Sequence, residues 1–488
     1  MERIRIAIDP QLEITHGPEI HWAWRLLLAG IGWTWEEVEP DGDCEIAYVP
    51  DPASAPRASL CIRANPQAWA RQAAPRLEKV MHDNEPAFLA FEGEAPVRHP
   101  IQYGNEIVLC HRDLIFDLFW LVSGQEECFW PRDKHGFFDL TGTLTLREQV
   151  PRQALVSQMS TWLQKTLVDL GCAPPLPRWP SNKTAAAGVG HDVDYPEAVR
   201  WLEPFRILAR QGSRGIKPAL DLLAGRRDHW AFPMWVEMEK QLQIRSAFYF
   251  VARRGSLLEY ATSTPDPFYD ISSPRFQGLF DFLAQEGFEV GLHASYLAYQ
   301  SQEKLAAEKR ALEEACGQRV LGNRHHYWHL DPDQVEDTLL IHEHVDLMYD
   351  SSLIHERYLG WRRALAQPYF PFHQAKRREL RTLQIPIAWM DDQVFGHQAD
   401  NPGPRHENLQ ALADQAAKQE GCLLIDVHNY VFDDALFPGW ADSYRRLWQY
   451  LLDRGDFWLA TPAEIAKHWI GRHEALVQAS LGLKEGAA

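Results

Sequence analysis

The feature that most constrains the fold is a repeated alternation of strand-like and helix-like segments from about residue 184 onward. Short apolar runs recur between helical stretches, among them TAAAGV, SAFYFVA, FEVGLH, RVLGNRHHYW, VDLMYDSS, LQIPIAWMD, GCLLIDVH and DFWLATP. Seven or eight strand–helix units in succession favour parallel strands, because the crossover between parallel neighbours is usually a helix. The pattern predicts an α/β protein with a (β/α) barrel, and a doubly wound open sheet is the competing architecture.

The chain of 488 residues exceeds what one hydrophobic core usually supports, so more than one domain is expected. Residues 1–170 are predicted to form a smaller α/β domain with the strands RIRIAI, CEIAYV, SLCIRA and NEIVLC. Residues 171–183 are predicted to be a linker, because the proline-rich sequence CAPPLPRWPSNK cannot pack as a helix or an inner strand. The barrel is predicted over residues 184–475, and residues 476–488 are predicted to form a frayed tail.

Composition and charge exclude several classes of protein. The net charge of −18 would repel a phosphate backbone, so nucleic acid is not expected as a partner. The longest apolar stretches are interrupted within about ten residues, too short to span a bilayer, and the N-terminus lacks the apolar core of a secretion signal. A cytoplasmic protein is therefore predicted. The seven scattered cysteines include no C-x-x-C pair and are expected to be reduced thiols. The sequence indicates no oligomeric state.

Polar side chains follow several of the predicted strands at the point where each strand ends. In GHDVDYP, residues 190–196, Asp192 and Asp194 would share one face of an extended chain, roughly 7 Å apart. The later polar endings are His293, the run RHHY from Arg324 to Tyr327, Asp391 and His428. Because the carboxyl ends of barrel strands open onto one mouth, these side chains should converge there, as a divalent, zinc-type site requires. A single such residue is more often a cap or a solvated side chain; the joint occurrence indicates a site.

Four of these segments resemble, in order, the motifs of a known family. HDVDYP, EVGLHASY, GNRHHYW and LLIDVHN are similar to the first, second, third and fifth motifs of the polysaccharide deacetylases, carbohydrate esterase family 4, over roughly residues 184–470. Upstream, IFDLFWLVSGQEE and PRDKHGFFD resemble the extra N-terminal domain of a divergent branch. The resemblance implies a distorted (β/α) barrel of about seven strands after a smaller α/β domain. It also implies a divalent metal, usually zinc, and removal of an N-acetyl or O-acetyl group from a sugar.

The resemblance also implies roles for individual residues. Asp192 would be the general base, Arg324 would hold its carboxylate, and His428 would be the general acid that protonates the leaving nitrogen. Tyr327 would help to shape the acetyl pocket. A valine is inserted between the two acids of the first motif, so the base and ligand roles of Asp192 and Asp194 could be exchanged.

The expected metal site departs from the common pattern of the family. The second motif usually carries histidines at i and i+4, but this chain has Leu297 at the second position, and the third motif has His326 where a proline is usual. The predicted metal ligands are Asp194, His293 and His326. Three ligands leave a coordination position open for water. His325 or His191 could replace any of them.

Other polar residues near presumed strand ends are expected to line the substrate pocket, with a structural ion pair as the alternative for each. These residues are Asp391, Arg362 and Asp270. Asp133 and His135, in PRDKHG, are expected to stabilise a turn by local hydrogen bonds.

The function predicted from these observations is metal-dependent removal of an acetyl group from an N-acetylated sugar or a nucleotide-linked or lipid-linked glycan precursor, in surface polysaccharide metabolism. A carbohydrate is thus the expected substrate. The missing histidine at Leu297 keeps an alternative open, a catalytically inactive glycan-binding or scaffold protein on the same barrel. Another hydrolase on this barrel, such as a glycosidase or a deacylase of a small amide, is a third hypothesis.

Overall fold

Two largely parallel β-sheets form the framework of the chain in a computed structural model, which describes residues 3–55, 57–82, 86–94, 97–104, 107–197, 203–226, 228–256, 266–395, 402–434 and 437–481. The strands are β1 (Arg3–Ile8), β2 (Thr34–Val38), β3 (Cys44–Val49), β4 (Ala58–Arg63), β5 (Leu77–His82), β6 (Ala87–Phe91), β7 (Ile101–Tyr103), β8 (Val108–Cys110), β9 (Ala185–Val193), β10 (Ala247–Phe250), β11 (Glu289–Ala294), β12 (Gly322–His325), β13 (Tyr349–Asp350), β14 (Phe372–His373), β15 (Arg378–Glu379), β16 (Leu383–Gln384), β17 (Ile387–Met390), β18 (Cys422–Asp426) and β19 (Phe457–Leu459). The α-helices are α1 (Pro10–Ile31), α2 (Pro66–Trp69), α3 (Leu114–Val122), α4 (Leu144–Arg147), α5 (Val150–Gln153), α6 (Leu155–Asp169), α7 (Glu203–Gln211), α8 (Ile216–Leu223), α9 (Phe232–Gln241), α10 (Pro274–Glu286), α11 (Gln302–Cys316), α12 (Val335–His344), α13 (Asp391–Phe395), α14 (Pro402–Lys418), α15 (Trp440–Arg454) and α16 (Pro462–Leu481). Among these described helices, none combines the length and the apolar composition that crossing a membrane requires.

The first sheet has six strands in the order β2-β1-β3-β4-β8-β7. Neighbouring strands are parallel except for β7, which pairs antiparallel with β8. Helices α1, α3 and α6 pack against one another in the same part of the chain. The four strands predicted here are present as β1, β3, β4 and β8. The sequence did not predict β2, because TWEEV holds too few apolar residues to resemble a buried strand.

The second sheet is curled into the predicted distorted (β/α) barrel. Its order is β16-β13-β12-β11-β10-β9-β18-β17, and β19 pairs with the start of β9 beside this path; all of these pairs are parallel. The two edge strands, β16 and β17, are separated in the chain by Ile385 and Pro386. Such a short connection holds the two edges together as one bent strand, so the barrel has seven strand positions. The predicted barrel of about seven strands is confirmed, and the alternative of an open doubly wound sheet is wrong.

The distortion of the barrel lies at this bent strand. Ile385 donates its N–H to the carbonyl of Asp350 at 3.0 Å, which continues the pairing with β13. Pro386 has no N–H to donate, so the regular ladder stops there. Beyond it, the register between β17 and β18 shifts between Ile387 and Trp389. One strand therefore serves both edges of the sheet, with a break in its middle.

Strand β9 runs through the barrel wall with every residue buried and reads AAAGVGHDV. A Cβ atom on Gly190 would lie 2.7 Å from a guanidinium nitrogen of Arg324 and 2.4 Å from the ring of Tyr249. The Arg324 guanidinium is buried and lies 4.5 Å from the centroid of the Tyr249 ring. Glycine at position 190 thus leaves the space through which Arg324 reaches the carboxyl end of β9.

The proline-rich segment 171–183 is packed against the first part of the chain. The indole of Trp33 donates to the carbonyl of Ala173 at 2.9 Å, and Leu176 donates its N–H to Gly32 at 3.0 Å. Prolines remove donors from this segment, and the remaining polar backbone groups find partners of this kind. The division of the chain into domains around this segment stays a prediction.

The C-terminal helix extends into the predicted tail. Helix α16 ends at Leu481, so residues 476–481 are helical instead of frayed. Residues 482–488 of the predicted tail lie outside the described residues.

Candidate metal centre and catalytic cavity

The carboxyl ends of the barrel strands open onto a cavity of about 670 Å³. Its walls include the predicted site residues Asp192, Asp194, His293, His326, Tyr327, Asp391 and His428. They also include a set of aromatic side chains: Phe137, Tyr195, Trp328, Tyr430, Phe437 and Trp440. Most of these residues follow a barrel strand in the chain, whereas Phe137 comes from the region before the barrel. Residues distant in sequence therefore meet at the mouth of the barrel.

Asp194, His293 and His326 converge on one point in this cavity. One ligand atom of each lies within 4.8 Å of the others. The Nε2 atom of His293 is 3.3 Å from Oδ1 of Asp194, and that of His326 is 3.6 Å from the same oxygen. Asp194 directly follows β9, His293 lies in β11 and His326 directly follows β12. The parallel arrangement of these strands brings the three side chains to the same height.

Both histidines are held from behind through their second ring nitrogen. Nδ1 of His293 lies 2.7 Å from the carbonyl oxygen of Arg324, and Nδ1 of His326 lies 3.2 Å from Oδ1 of Asp266. The carbonyl and the carboxylate oxygen can only accept, so each contact places a proton on Nδ1, and Nε2 is the ring nitrogen that would bind a cation. Histidines that bind metals are usually oriented in this way by a carbonyl or carboxylate.

The donor set fits a divalent cation. Oδ1 of Asp194 is buried and has no hydrogen-bond partner among the described residues, although two imidazole nitrogens face it. Burial opposes a charged carboxylate, yet the pKa of Asp194 lies well below its ordinary value because His326 and two further imidazoles surround it. One carboxylate oxygen beside two imidazole nitrogens is a ligand combination found in catalytic zinc sites.

Arg324 lies next to this centre and binds two carboxylates. Its guanidinium is 2.7 Å from Oδ1 of Asp192 and 2.8 Å from Oδ1 of Asp426. Burial and the neighbouring Asp192 raise the pKa of Asp426 to about 8, even though Arg324 opposes the rise. The other oxygen of Asp192 lies 3.6 Å from Nε2 of His293. Of the two acids in the first motif, Asp192 is the one held by Arg324, and Asp194 faces both imidazoles.

His428 lies near the second carboxylate oxygen of Asp194 and is fixed by Asp391. Its backbone N–H donates to Oδ2 of Asp391 at 2.7 Å, and its Nδ1 lies 3.1 Å from both oxygens of that carboxylate. Nε2 lies 3.5 Å from Oδ2 of Asp194. Burial lowers the pKa of His428, but Tyr430 and the two carboxylates outweigh it and hold the pKa well above its ordinary value. These neighbours therefore favour the protonated imidazole.

The two histidines considered as replacement ligands face away from the centre. His191 is buried in the barrel wall, with Nε2 2.7 Å from Glu239 and Nδ1 2.8 Å from the carbonyl of Val427. The His325 side chain lies on the other face of the sheet from the cavity, where its Nε2 is 2.8 Å from Nε2 of His342. Since side chains alternate along a strand, His325 and His326 cannot both face the cavity from an extended chain.

Arg362 does not reach the cavity that the sequence predicts for it. Its guanidinium forms a two-pronged ion pair with Glu127, with both N–H···O distances at 2.9 Å, and it is buried. The alternative of a structural ion pair applies to this residue. Burial would raise the pKa of Glu127, but Arg362 and Arg363 lower it to about 2. Asp270 likewise bonds to Ser272 in a local turn.

The expected turn in PRDKHG is present and supports a wall of the cavity. Oδ1 of Asp133 accepts from the backbone N–H groups of His135 at 2.9 Å and Phe137 at 3.0 Å. Nδ1 of His135 lies 3.0 Å from the hydroxyl of Tyr296. The Phe137 ring lies nearly parallel to that of Tyr327, with centroids 6.1 Å apart and an angle of 15° between the planes. This turn carries a side chain from the region before the barrel into the cavity.

Three residues of the site were not predicted from the sequence. Asp266 orients His326, Asp426 shares Arg324, and Phe137 contributes to the aromatic wall. Asp426 lies at the end of the predicted strand GCLLIDVH, two positions before His428, and this position could have revealed it. Asp266 and Phe137 lie in irregular segments, where neither alternation nor position at a strand end marks a residue as functional.

Similarity to known proteins was found among solved structures. A scan of the sequence against protein-family models gave no match, and neither did a comparison with curated proteins. A solved structure assigned to the polysaccharide deacetylases, from Mycobacterium smegmatis, is similar at 17% identity over 60% of this chain and 93% of its own, with a TM-score of 0.41. The Puue allantoinase is similar at 18% identity over 61% of this chain and 94% of its own, with a TM-score of 0.40. A protein from Pseudomonas aeruginosa PAO1, also assigned to the polysaccharide deacetylases, is similar at 17% identity over 62% of this chain and 96% of its own, with a TM-score of 0.40. Two of these three solved structures carry the name of the family that the four sequence motifs resemble.

Proposed function

We propose that this protein is a metal-dependent hydrolase that removes an acetyl group from an N-acetylated sugar or glycan precursor in surface polysaccharide metabolism. The observation that carries the proposal is the meeting of Asp194, His293 and His326 within 4.8 Å. A carboxylate held by an arginine and an imidazole held by a carboxylate lie beside this point. Zinc is the proposed metal, because one carboxylate oxygen and two imidazole nitrogens form a common catalytic zinc site.

Hydrolysis of an amide needs a water nucleophile, a base and an acid. A bound divalent cation supplies Lewis acidity for the acetyl carbonyl and acidifies a water molecule. Asp192 uses one oxygen to bind Arg324, and its other oxygen faces the metal centre, where it can accept the proton of the attacking water. Arg324 holds this carboxylate in place with an N–H···O contact of 2.7 Å.

His428 is proposed as the acid that completes the reaction. An amine anion is a very poor leaving group, so the nitrogen must be protonated as the tetrahedral intermediate collapses. Asp391 binds Nδ1 of His428 and helps to raise its pKa, which favours the protonated imidazole that an acid requires. Nε2 lies 3.5 Å from Oδ2 of Asp194, and His428 lines the cavity together with Asp192. Base and acid are thus both proposed to reach a substrate bound in this cavity.

The aromatic wall supports a sugar as the substrate. Flat apolar ring faces suit the C–H faces of pyranose rings, and Phe137, Tyr327 and Tyr430 present such faces beside the polar centre. Tyr327 has a positive φ of 59°, an unusual conformation for a non-glycine residue, and this turn directs it next to His326. Tyr327 is therefore proposed to shape the acetyl pocket, as its motif implies.

The alternative of an inactive glycan-binding protein arose from Leu297, which stands where a second histidine is usual in this motif. His326 offers a third donor from the neighbouring strand, and this weakens the reason for that alternative. The two functions differ in one measurable respect, the release of acetate.

The test measures acetate release from a panel of N-acetylated sugars by the full chain, before and after reconstitution with zinc. The proposal expects release that depends on zinc and about one zinc ion per chain by elemental analysis. Sugar binding without acetate release, in protein that holds zinc, would favour the inactive alternative. Release of a reducing sugar without acetate would indicate a glycosidase, and absence of zinc after reconstitution would overturn the metal centre.

A further inference from the structure

Helices α7 and α8 form a short hairpin at the rim of the cavity. They are joined by a 3₁₀ turn, Gly212–Gly215, and pack against each other. Ile207, Ala209 and Gln211 of α7 line the cavity, so the inner face of the hairpin belongs to the site. Its outer face is the feature that neither the fold nor the proposed reaction explains.

The outer face is apolar and open to solvent. Its exposed side chains are Phe205 (71%), Leu208 (39%), Ile216 (51%), Leu220 (59%) and Leu223 (57%). Within α8, the last three recur at i, i+4 and i+7, which places them on one side of the helix. The structure describes eleven large apolar side chains as exposed, and five of these fall between positions 205 and 223. Ile216, Leu220 and Leu223 share one face of α8, and Phe205 and Leu208 add exposed apolar area on the adjoining helix. Such a concentration marks an interaction surface.

The same segment is basic in an acidic protein. Residues 203–226 contain five Lys or Arg residues and two acidic ones, whereas the whole chain has a net charge of −18. Arg214 and Lys217 are exposed beside the apolar stripe. Arg226 is also exposed and lies 3.7 Å from Asp221. An apolar helix face bordered by basic residues is the pattern of helices that lie in the interface of a membrane with anionic lipids.

We propose that the α7–α8 hairpin binds the surface of an anionic lipid bilayer, with its apolar face in the boundary between headgroups and acyl chains. A protein partner is less favoured because the centre of a protein interface is depleted of lysine, and Lys217 follows directly after Ile216 in the stripe. A symmetric dimer is less favoured because it would place the same basic patch of two copies face to face. An anionic bilayer would attract the basic side chains of the hairpin and would cover its exposed apolar side chains.

A consequence for the substrate rests on the proposed function. Phe205 and Leu208 lie on the same helix as the cavity residues Ile207 and Gln211, so membrane binding would place the mouth of the cavity at the bilayer surface. An N-acetylated sugar carried on a lipid could then enter the cavity without leaving the membrane. A lipid-linked glycan precursor is accordingly the substrate class that this surface favours over a soluble, nucleotide-linked one.

The test measures co-sedimentation of the full chain with vesicles of phosphatidylcholine mixed with phosphatidylglycerol, and with vesicles of phosphatidylcholine alone. Binding is expected to the anionic vesicles, to weaken at high salt, and to fall at least about tenfold in the triple variant Ile216→Ser, Leu220→Ser, Leu223→Ser. Lys217→Glu should weaken binding in low salt. The matched control is Ile14→Ser, which removes another exposed apolar side chain, 78% exposed, from α1 and should bind like the wild type.

Three results would overturn the inference: no binding of the wild type to anionic vesicles, equal binding by the triple variant, or a wild-type dimer in sedimentation velocity that the triple variant abolishes. The last result would identify a second copy as the occupant. Circular dichroism checks that each variant is folded. Acetate release from a soluble N-acetylated sugar should be the same in the triple variant and the wild type, so a failure of the proposed function is seen separately from a failure of membrane binding.

Discussion

The two sheets of this chain place polar residues at the same position, the carboxyl ends of parallel strands, but use them in different ways. In the first sheet, these residues are Asp9, Asp51, Asn65 and Asp113, and each accepts a hydrogen bond from a backbone N–H at the start of the following helix. In the barrel, the corresponding residues Asp194, His293, His326 and His428 face one another across a cavity. A polar residue at a strand end is therefore not by itself evidence of a functional site.

The residue type helps to separate the two cases, although Asp194 is a strand-end carboxylate that faces the cavity. Asp and Asn are strong helix caps because their short side chains reach the free N–H groups of the first turn, as Asp9 does for Gln11 and Leu12 at 3.1 and 3.0 Å. His428 also precedes a helical turn, Asn429–Phe432, but its side chain makes no capping bond within this described segment. Imidazoles at strand ends thus carry more of the functional signal than carboxylates do.

Removing an imidazole from the metal centre should have the largest effect. His293→Ala deletes one of three ligands, so the zinc content should fall to near zero. The rate of acetate release should fall on the order of 10³-fold, which corresponds to a loss of several kcal/mol of transition-state stabilisation. Elemental analysis after dialysis and an acetate assay measure the two effects. The matched control is His325→Gln, which changes a strand-end imidazole that faces His342 and should retain zinc. Wild-type zinc content in His293→Ala would contradict the assignment of the centre.

The contact between Asp391 and His428 should set the pH dependence of the reaction. His428 donates a proton, so activity is lost as the pH rises through its pKa, and Asp391 helps to hold that pKa above its ordinary value. Asp391→Asn should therefore lower the pKa of His428 and move the alkaline limb of the kcat profile to lower pH, with a loss of roughly 10²-fold at pH 8. Zinc content should stay unchanged. An alkaline limb at the same pH as in the wild type would remove His428 from the role of acid.

Asp266 should control the affinity for the metal without touching it. Its carboxylate lies 3.2 Å from Nδ1 of His326, and Arg253 binds its other oxygen at 2.9 Å. Asp266→Asn weakens the contact that orients the His326 ring, so the dissociation constant for zinc should rise about 10- to 100-fold. Competition with a fluorescent chelator measures this constant. Asp270→Asn is the control, because that carboxylate bonds to Ser272 away from the centre. Equal zinc affinity in Asp266→Asn and the wild type would show that His326 needs no such support.

Phe137 tests whether the region before the barrel takes part in substrate binding. Phe137→Ala removes an aromatic face from the cavity, and KM for an N-acetylated sugar should rise about 3- to 10-fold with kcat unchanged, the usual worth of one aromatic contact. Phe129→Ala is the control, since its ring lies under Arg76 outside the cavity. A fall in kcat with an unchanged KM would instead place Phe137 in a role close to the reacting atoms.

Much of the fold and the metal centre could be predicted because their signals are local. Apolar runs mark the strands, and the imidazoles that follow those runs mark the ends that meet in the cavity. Asp266 and Phe137 could not be found in this way, since each lies in an irregular segment and reaches the site through contacts between distant parts of the chain.

Arg362 is a residue that the sequence places in the pocket and that instead forms the structural ion pair given as its alternative. GWRR follows a predicted strand, which suggested a place in the pocket, but its partner Glu127 lies 235 positions earlier in the chain. No spacing rule within the sequence connects the two residues. A buried arginine will take whichever carboxylate the tertiary structure offers, because an unpaired buried charge is costly.

The smallest expected effect comes from a helix cap in the first sheet, and it tests whether the strand-end carboxylates of the two sheets have different roles. Asp9→Ala removes the cap of α1, so the free energy of unfolding should fall by about 1 kcal/mol, the usual worth of an N-cap side chain. Zinc content and kcat should not change, because the Asp9 carboxylate binds the first turn of α1 and lies in the other sheet. Urea unfolding gives the stability, and elemental analysis gives the metal content. A loss of zinc in Asp9→Ala would mean that strand-end carboxylates of the first sheet also support the site, and the distinction between caps and ligands would fail.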